Sequence, residues 1–126
     1  MSLLRAAAIG IVLAVPALAA GMYDGTYHGQ LKPDPDKAQA MVCSKGAPIQ
    51  MTVADNTLTY VHMGNATITA TVGADGSFSG SGTNKFSGGR GGPQVQQLEG
   101  KIAGGAIVAK TSVANNCFYV LTLKKF

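Results

Sequence analysis

Two histidines, six carboxylates and a glycine-rich run carrying cations are the residues whose types could do chemistry in this chain. His28 and His62 are the only histidines. A metal site wants three or four ligands, and no His-x-His, His-x-x-x-His or Cys/His cluster is present. Asp24 and His28 share one strand face but lie roughly 13 Å apart along it, too far to hold one ion directly. Each histidine reads either as a polar strand position facing solvent or as a residue lining a barrel mouth, where imidazole binds a ligand or senses pH.

Of the carboxylates, Asp34, Asp36, Asp55 and Asp75 stand in contexts that turn and cap chemistry explains. Asp24 and Glu99 fall inside expected strands, and a catalytic pair would depend on a separation the sequence does not set. There is no Gly-x-Ser-x-Gly elbow, and no serine has a histidine partner suggested by spacing. The expectation is a chain that is not an enzyme and needs no cofactor or metal. Gly88-Gly89-Arg90-Gly91-Gly92 lacks the Gly-Lys-Ser/Thr ending and the following helix of a phosphate-cradling loop. It reads as a flexible hairpin, or as a protruding recognition loop in which Lys85, Phe86 and Arg90 offer two cations and an aromatic anchor to an acidic cleft. The candidate binding residues are therefore Lys85, Phe86, Arg90, His28 and His62.

The elements that must position these residues are framed by two cysteines. Cys43 stands near the start of a strand-rich region and Cys117 opens its last strand, Cys117-Phe118-Tyr119-Val120-Leu121-Thr122-Leu123. Without Cys-x-x-Cys spacing, a Cys43 to Cys117 disulfide formed in an oxidising compartment is the simplest reading. The N-terminus agrees, because residues 1–19 have the parts of a secretory signal: Arg5, an apolar run over residues 6–15, and the small-residue site Ala17-Leu18-Ala19 after Pro16. Cleavage near Ala19 would leave residues 20–126 as one domain, periplasmic or secreted.

The formal charge of +4 falls by one when Arg5 is removed, and the remaining cations are scattered along the sequence. Nucleic acid is not an expected partner, since phosphate-backbone binding usually draws a dense basic stripe. No second apolar stretch approaches the roughly 20 residues of a helical span. A membrane barrel is also disfavoured, because aromatic content is only 6% and the expected strands fall short of the roughly 9 to 11 residues such barrels need.

Period-two alternation over residues 23–31 marks the first strand, with Tyr23, Tyr27 and Leu31 on one face. Lys32-Pro33-Asp34-Pro35-Asp36 breaks it, and Asp34 or Asp36 could cap a short helical turn over residues 37–41. From residue 49 short strands recur at spacing near ten residues. Asp55-Asn56, Gly64-Asn65, Asp75-Gly76, Gly104-Gly105 and Ala114-Asn115-Asn116 separate them, and Asp75-Gly76 predicts that residues 76–82 return beside the strand before them. Residues 80–94 are too glycine-rich to hold a regular strand throughout and should form the longest loop. The expected fold is all-β: a small antiparallel barrel of seven or eight strands in meander order, closed by its first and last strands. A flattened barrel or sandwich is the competitor.

Tyr23-Asp24-Gly25-Thr26-Tyr27, Ala74-Asp75-Gly76-Ser77-Phe78-Ser79-Gly80, Leu98-Glu99-Gly100-Lys101-Ile102-Ala103-Gly104 and the Cys117 strand together resemble small uncharacterised proteins exported by Gram-negative bacteria, a likeness that implies no activity. Ser79-Gly80-Ser81-Gly82-Thr83-Asn84-Lys85-Phe86 is distantly similar to the Ser-Gly-rich loop of periplasmic C-type lysozyme inhibitors, in which that loop and a lysine engage the enzyme's acidic cleft. It lacks their alanine-arginine/lysine-tyrosine continuation. Two functions are expected: an envelope or secreted protein that binds a small ligand or a protein at its mouth and loops, as monomer or small oligomer; or an inhibitor of an exported hydrolase acting through residues 81–93.

Overall fold

In a computed structural model of the chain, residues 21–41, 43–85, 92–114 and 116–126 are described. The expected signal segment, Phe86 and Arg90 lie outside them. Eight strands follow one another: β1 (Gly25–Pro33), β2 (Ala47–Ala54), β3 (Thr57–His62), β4 (Ala66–Thr71), β5 (Ser77–Asn84), β6 (Gln94–Ala103), β7 (Ala106–Val113) and β8 (Cys117–Lys125). All ladders are antiparallel and join sequence neighbours, except that β1 also pairs with β8, Leu31 opposite Leu121. The expected closure by first and last strands is made.

The break in the sheet falls elsewhere. Its order is β4-β3-β2-β1-β8-β7-β6-β5, so β4 and β5 are its two edges, and the hairpin expected across Asp75-Gly76 forms no ladder. Two backbone bonds pin this seam, Gly73 N–H donating to the Ser77 carbonyl and Lys85 N–H to the Asn65 carbonyl, each at 2.9 Å. Between them β5 lies over the backbone of β4. A Cβ on Gly80 would stand 2.5 Å from the Thr69 carbonyl oxygen, and one on Gly82 would stand 2.6 Å from that of Thr67. The glycines expected to dissolve a strand instead let β5 run regularly to Asn84, because only a residue without a side chain can approach so closely. The result is a nearly closed barrel with a lapped joint.

Alternation fills the interior. Along β4, Ala66, Ile68 and Ala70 are buried while Thr67, Thr69 and Thr71 are exposed, and the other strands repeat the pattern. Tyr27, Leu31, Met51, Leu58, Tyr60, Ile68, Leu98, Ile102, Ile107 and Leu121 are almost wholly excluded from water. At about 1.5–3 kcal/mol for each large apolar side chain, these residues dominate the stabilising terms. The disulfide Cys43–Cys117 spans 74 residues with Cα atoms 5.5 Å apart, as the sequence suggests.

The meander places its connections at two ends. At one end the links are residues 55–56, 72–76 and 104–105. At the other they are residues 34–46, 63–65, 85–93 and 114–116.

Candidate functional site

The longest connection, residues 34–46, is laid along the start of β8. It does not form the expected helical turn. The Asp34 carboxylate accepts the Asp36 N–H at 2.9 Å, which turns the chain locally. Gln39 then stands in for a missing strand partner. Its Oε1 accepts the Phe118 N–H at 2.9 Å, and its Nε2 donates to the Phe118 carbonyl at 2.7 Å. Asp34 N–H also reaches that carbonyl, Ala40 N–H reaches the Asn116 carbonyl, and Ser44 N–H reaches the Tyr119 hydroxyl at 2.9 Å. With the disulfide at Cys43, the connection is held to β8 at both ends and in its middle.

Beneath it the barrel interior turns polar. The Tyr60 hydroxyl and His62 Nδ1 are hydrogen-bonded at 2.8 Å, and the His62 ring centroid lies 5.6 Å from that of Tyr119. Burial disfavours the imidazolium and pushes the His62 pKa down to about 4, so the ring is neutral near pH 7. Burial, then the neighbouring Tyr119, raises the Tyr60 phenol. Tyr119 is raised by burial against the opposing effect of the Ser44 N–H.

A second polar chain stands at the same end. Asn84 Nδ2 donates to Gln96 Oε1 at 2.7 Å, Gln96 Nε2 donates to Thr111 Oγ1 at 2.9 Å, and that hydroxyl donates to the Gln97 carbonyl at 2.6 Å. Asn84, Gln96 and Thr111 are at most 3% exposed. Each amide closes a bond that would otherwise be an uncompensated burial. Asn84 is the last residue of β5, and Gln96 lies near the start of β6, so the chain anchors both bases of the 85–93 connection.

Outside the mouth, Met41 is 95% exposed on the 34–46 connection, Met63 is exposed in the β3–β4 turn and Val95 at the start of β6. A groove of 600 Å³ starts at this connection and runs onto the wall, lined by Asp34, Lys37, Ser81, Gln97, Lys110 and Phe118 among others. In it Lys110 Nζ is 3.7 Å from Asp34 Oδ2, and Lys37 Nζ stands 5.5 Å from the Phe118 ring centroid.

The structure brings two of the five candidate residues to this end. His62 closes β3 with its ring inside, 3% exposed. Lys85 follows β5 with its N–H on Asn65, three residues past His62. His28 sits on the outer wall of β1, nearer the opposite end, its ring 4.5 Å from that of Phe126. Gln39, Asn84, Gln96, Thr111 and Tyr119 organise the site without having been singled out. Asn84 falls in step with Phe78, Gly80 and Gly82, and Gln96 with Leu98, Gly100 and Ile102, so period two alone places both amides inside.

Among the described residues no group of three or more His, Cys, Asp or Glu is placed to hold a metal ion, and no helix is long and apolar enough to cross a membrane. The arrangement holds residues 34–46 in a fixed position against β8. Fold and site together define a disulfide-clipped, eight-stranded meander barrel elaborated at one end. Comparison with protein-family models, with curated proteins and with solved structures gives no match.

Proposed function

We propose that the chain is an exported, non-enzymatic binding protein that meets a protein partner with the end of the barrel carrying residues 34–46 and 85–93. The observation that carries this reading is the fixing of that end: a disulfide, the Gln39 amide and the Tyr119 hydroxyl hold the longest connection in place before any partner arrives. Loops immobilised in advance lose less freedom on binding, which is how fixed surfaces gain affinity. Exposed Met41, Met63 and Val95 supply apolar contacts there, and Lys85 a cation. The filled interior favours a partner on the loops over a small molecule enclosed by the strands.

Photo-crosslinking in the producing cell tests the reading. A photoreactive residue at Met41 or Lys85 should trap one discrete partner, whereas the same residue at Asp55 or Gly104 should not. Adducts of equal yield from both ends, or none from either, would sink it. If the trapped protein is a hydrolase slowed by the barrel, the reading takes its inhibitor form.

A further inference from the structure

All the lysines and the one glutamate carried by the strands lie on four neighbouring strands. In sheet order these are β6, β7, β8 and β1: Lys101, Lys110, Lys124 and Lys32 face outwards together with Glu99, whereas Lys125 falls in step with buried Leu123 and pairs with buried Tyr27. The outer faces of β2 to β5 are uncharged and carry mainly hydroxyl and amide side chains such as Gln50, Thr59, Thr69 and Ser79. Four lysines scattered through the sequence are thus gathered by the fold onto one wall, while Lys37, Lys45 and Lys85 stand on the connections.

The ladders set their arrangement. Lys32 and Lys110 flank Val120 from either side, Lys124 lies between His28 and Ala106, and Lys101 is next to Val108, which neighbours Thr122. The centre of the wall is therefore apolar or uncharged, with Val108 60% exposed, and its surround is basic. With strands about 4.8 Å apart, Lys32 and Lys110 are roughly 10 Å from one another at the backbone. That is close to the screening length in physiological salt, so the acids that offset Lys110 only partly offset Lys32. Glu99 opposite Lys110, Asp34 at 3.7 Å from the Lys110 ammonium, and Asp75 within electrostatic reach of Lys101 offset those two lysines, so the surplus rests on Lys32 and Lys124.

We propose that this wall docks the barrel side-on against a bilayer surface rich in anionic lipid headgroups, without insertion. A two-dimensional set of lysines around exposed Val108 and half-buried Val120 complements such a surface, where headgroup charge is spread over an area and the interface accepts apolar side chains. A nucleic acid would instead call for cations in line with a phosphate backbone. This inference stands apart from the loop-end reading, since it uses the wall and not the mouth.

Co-sedimentation of the purified protein with phosphatidylcholine vesicles, with and without phosphatidylglycerol, at low and physiological salt, tests it. Binding should require phosphatidylglycerol and weaken as salt rises. The pair Lys32→Gln/Lys124→Gln should lower the partition coefficient by about fivefold per lysine. The charge-matched pair Lys45→Gln/Lys85→Gln at the loop end should lower it much less. Both pairs replace exposed side chains, and their far-UV spectra verify folding. Equal losses from the two pairs, binding to phosphatidylcholine alone, or binding to duplex DNA in preference to vesicles would each overturn the proposal.

Discussion

At one end of the barrel the two-residue turns at 55–56 and 104–105 carry their own instructions, with Asp55, Asn56, Gly104 and Gly105 all at positive φ. That is the backbone a tight hairpin between right-twisted strands requires. At the other end Met63, Gly64 and Ala114 also mark short local turns, but for the longest connection local chemistry does not suffice. Residues 34–46 take their path from Phe118, Asn116, Tyr119 and Cys117, which lie more than seventy positions away. The interior differs in the same sense. Buried polar chains through His62 and through Gln96 stand under the long connections, in a core that is otherwise almost entirely apolar. One end closes on local turns; at the other, residues 34–46 are held in a defined shape by long-range bonds, the property on which the proposed contact rests.

The contrast breaks most strongly at the disulfide. Cys43→Ser/Cys117→Ser should lower the unfolding free energy by about 4 kcal/mol in a urea titration, because a 74-residue loop is freed in the unfolded chain. Hydrogen exchange should rise first in residues 34–46, while amides around 55–56 and 104–105 keep their protection. Exchange that rises equally at both ends would mean the two ends are one cooperative unit.

Acid acts on the same end. His62 titrates near 6.5 when unfolded and is pushed down to about 4 when buried, so the unfolded chain takes up the proton first. Its contribution is fully present above about pH 6.5 and is lost as pH falls towards 4, by about 3 kcal/mol in all. The groups beside it, Tyr60 and Tyr119, stay neutral across that window. Urea midpoints measured at pH 7 and pH 5 should show the loss, and His62→Gln should remove most of it.

Gln96→Ala cuts the second polar chain, taking one partner from Asn84 and one from Thr111. A cost of about 2 kcal/mol in thermal or urea unfolding is expected. The tight end gives the smallest effect. At Gly105, φ +75, an added methyl group meets only Lys125 Cβ at 3.9 Å, so Gly105→Ala pays for backbone geometry alone, about 1 kcal/mol in the same assay. A larger loss there than at Gln96 would reverse the comparison.

The legibility of the two ends in sequence follows the same physics. Asp55-Asn56 and Gly104-Gly105 announce their turns, alternation announces the strands, and the two cysteines announce their bond, because each signal is local or has no alternative. Gln39 pairing with Phe118 is invisible in sequence, since an amide in a polar stretch has many possible partners. Gly80 and Gly82 carry a true signal of close backbone approach, yet a glycine that ends a strand and one that lets a strand cross another look alike until the neighbour is known. The lysines are the plainest case: their spacing is irregular along the chain, and only the ladders align them.

The lapped joint between β4 and β5 also fixes where this barrel can be rewired. The sheet's own edges, β4 and β5, are linked by residues 72–76, whereas β1 and β8 are joined by a full ladder and Phe126 N–H is bonded to the Thr26 carbonyl. A circular permutant that links β8 to β1 and starts at β5 would keep every ladder and turn the meander into a plain sheet whose ends in sequence are its ends in space.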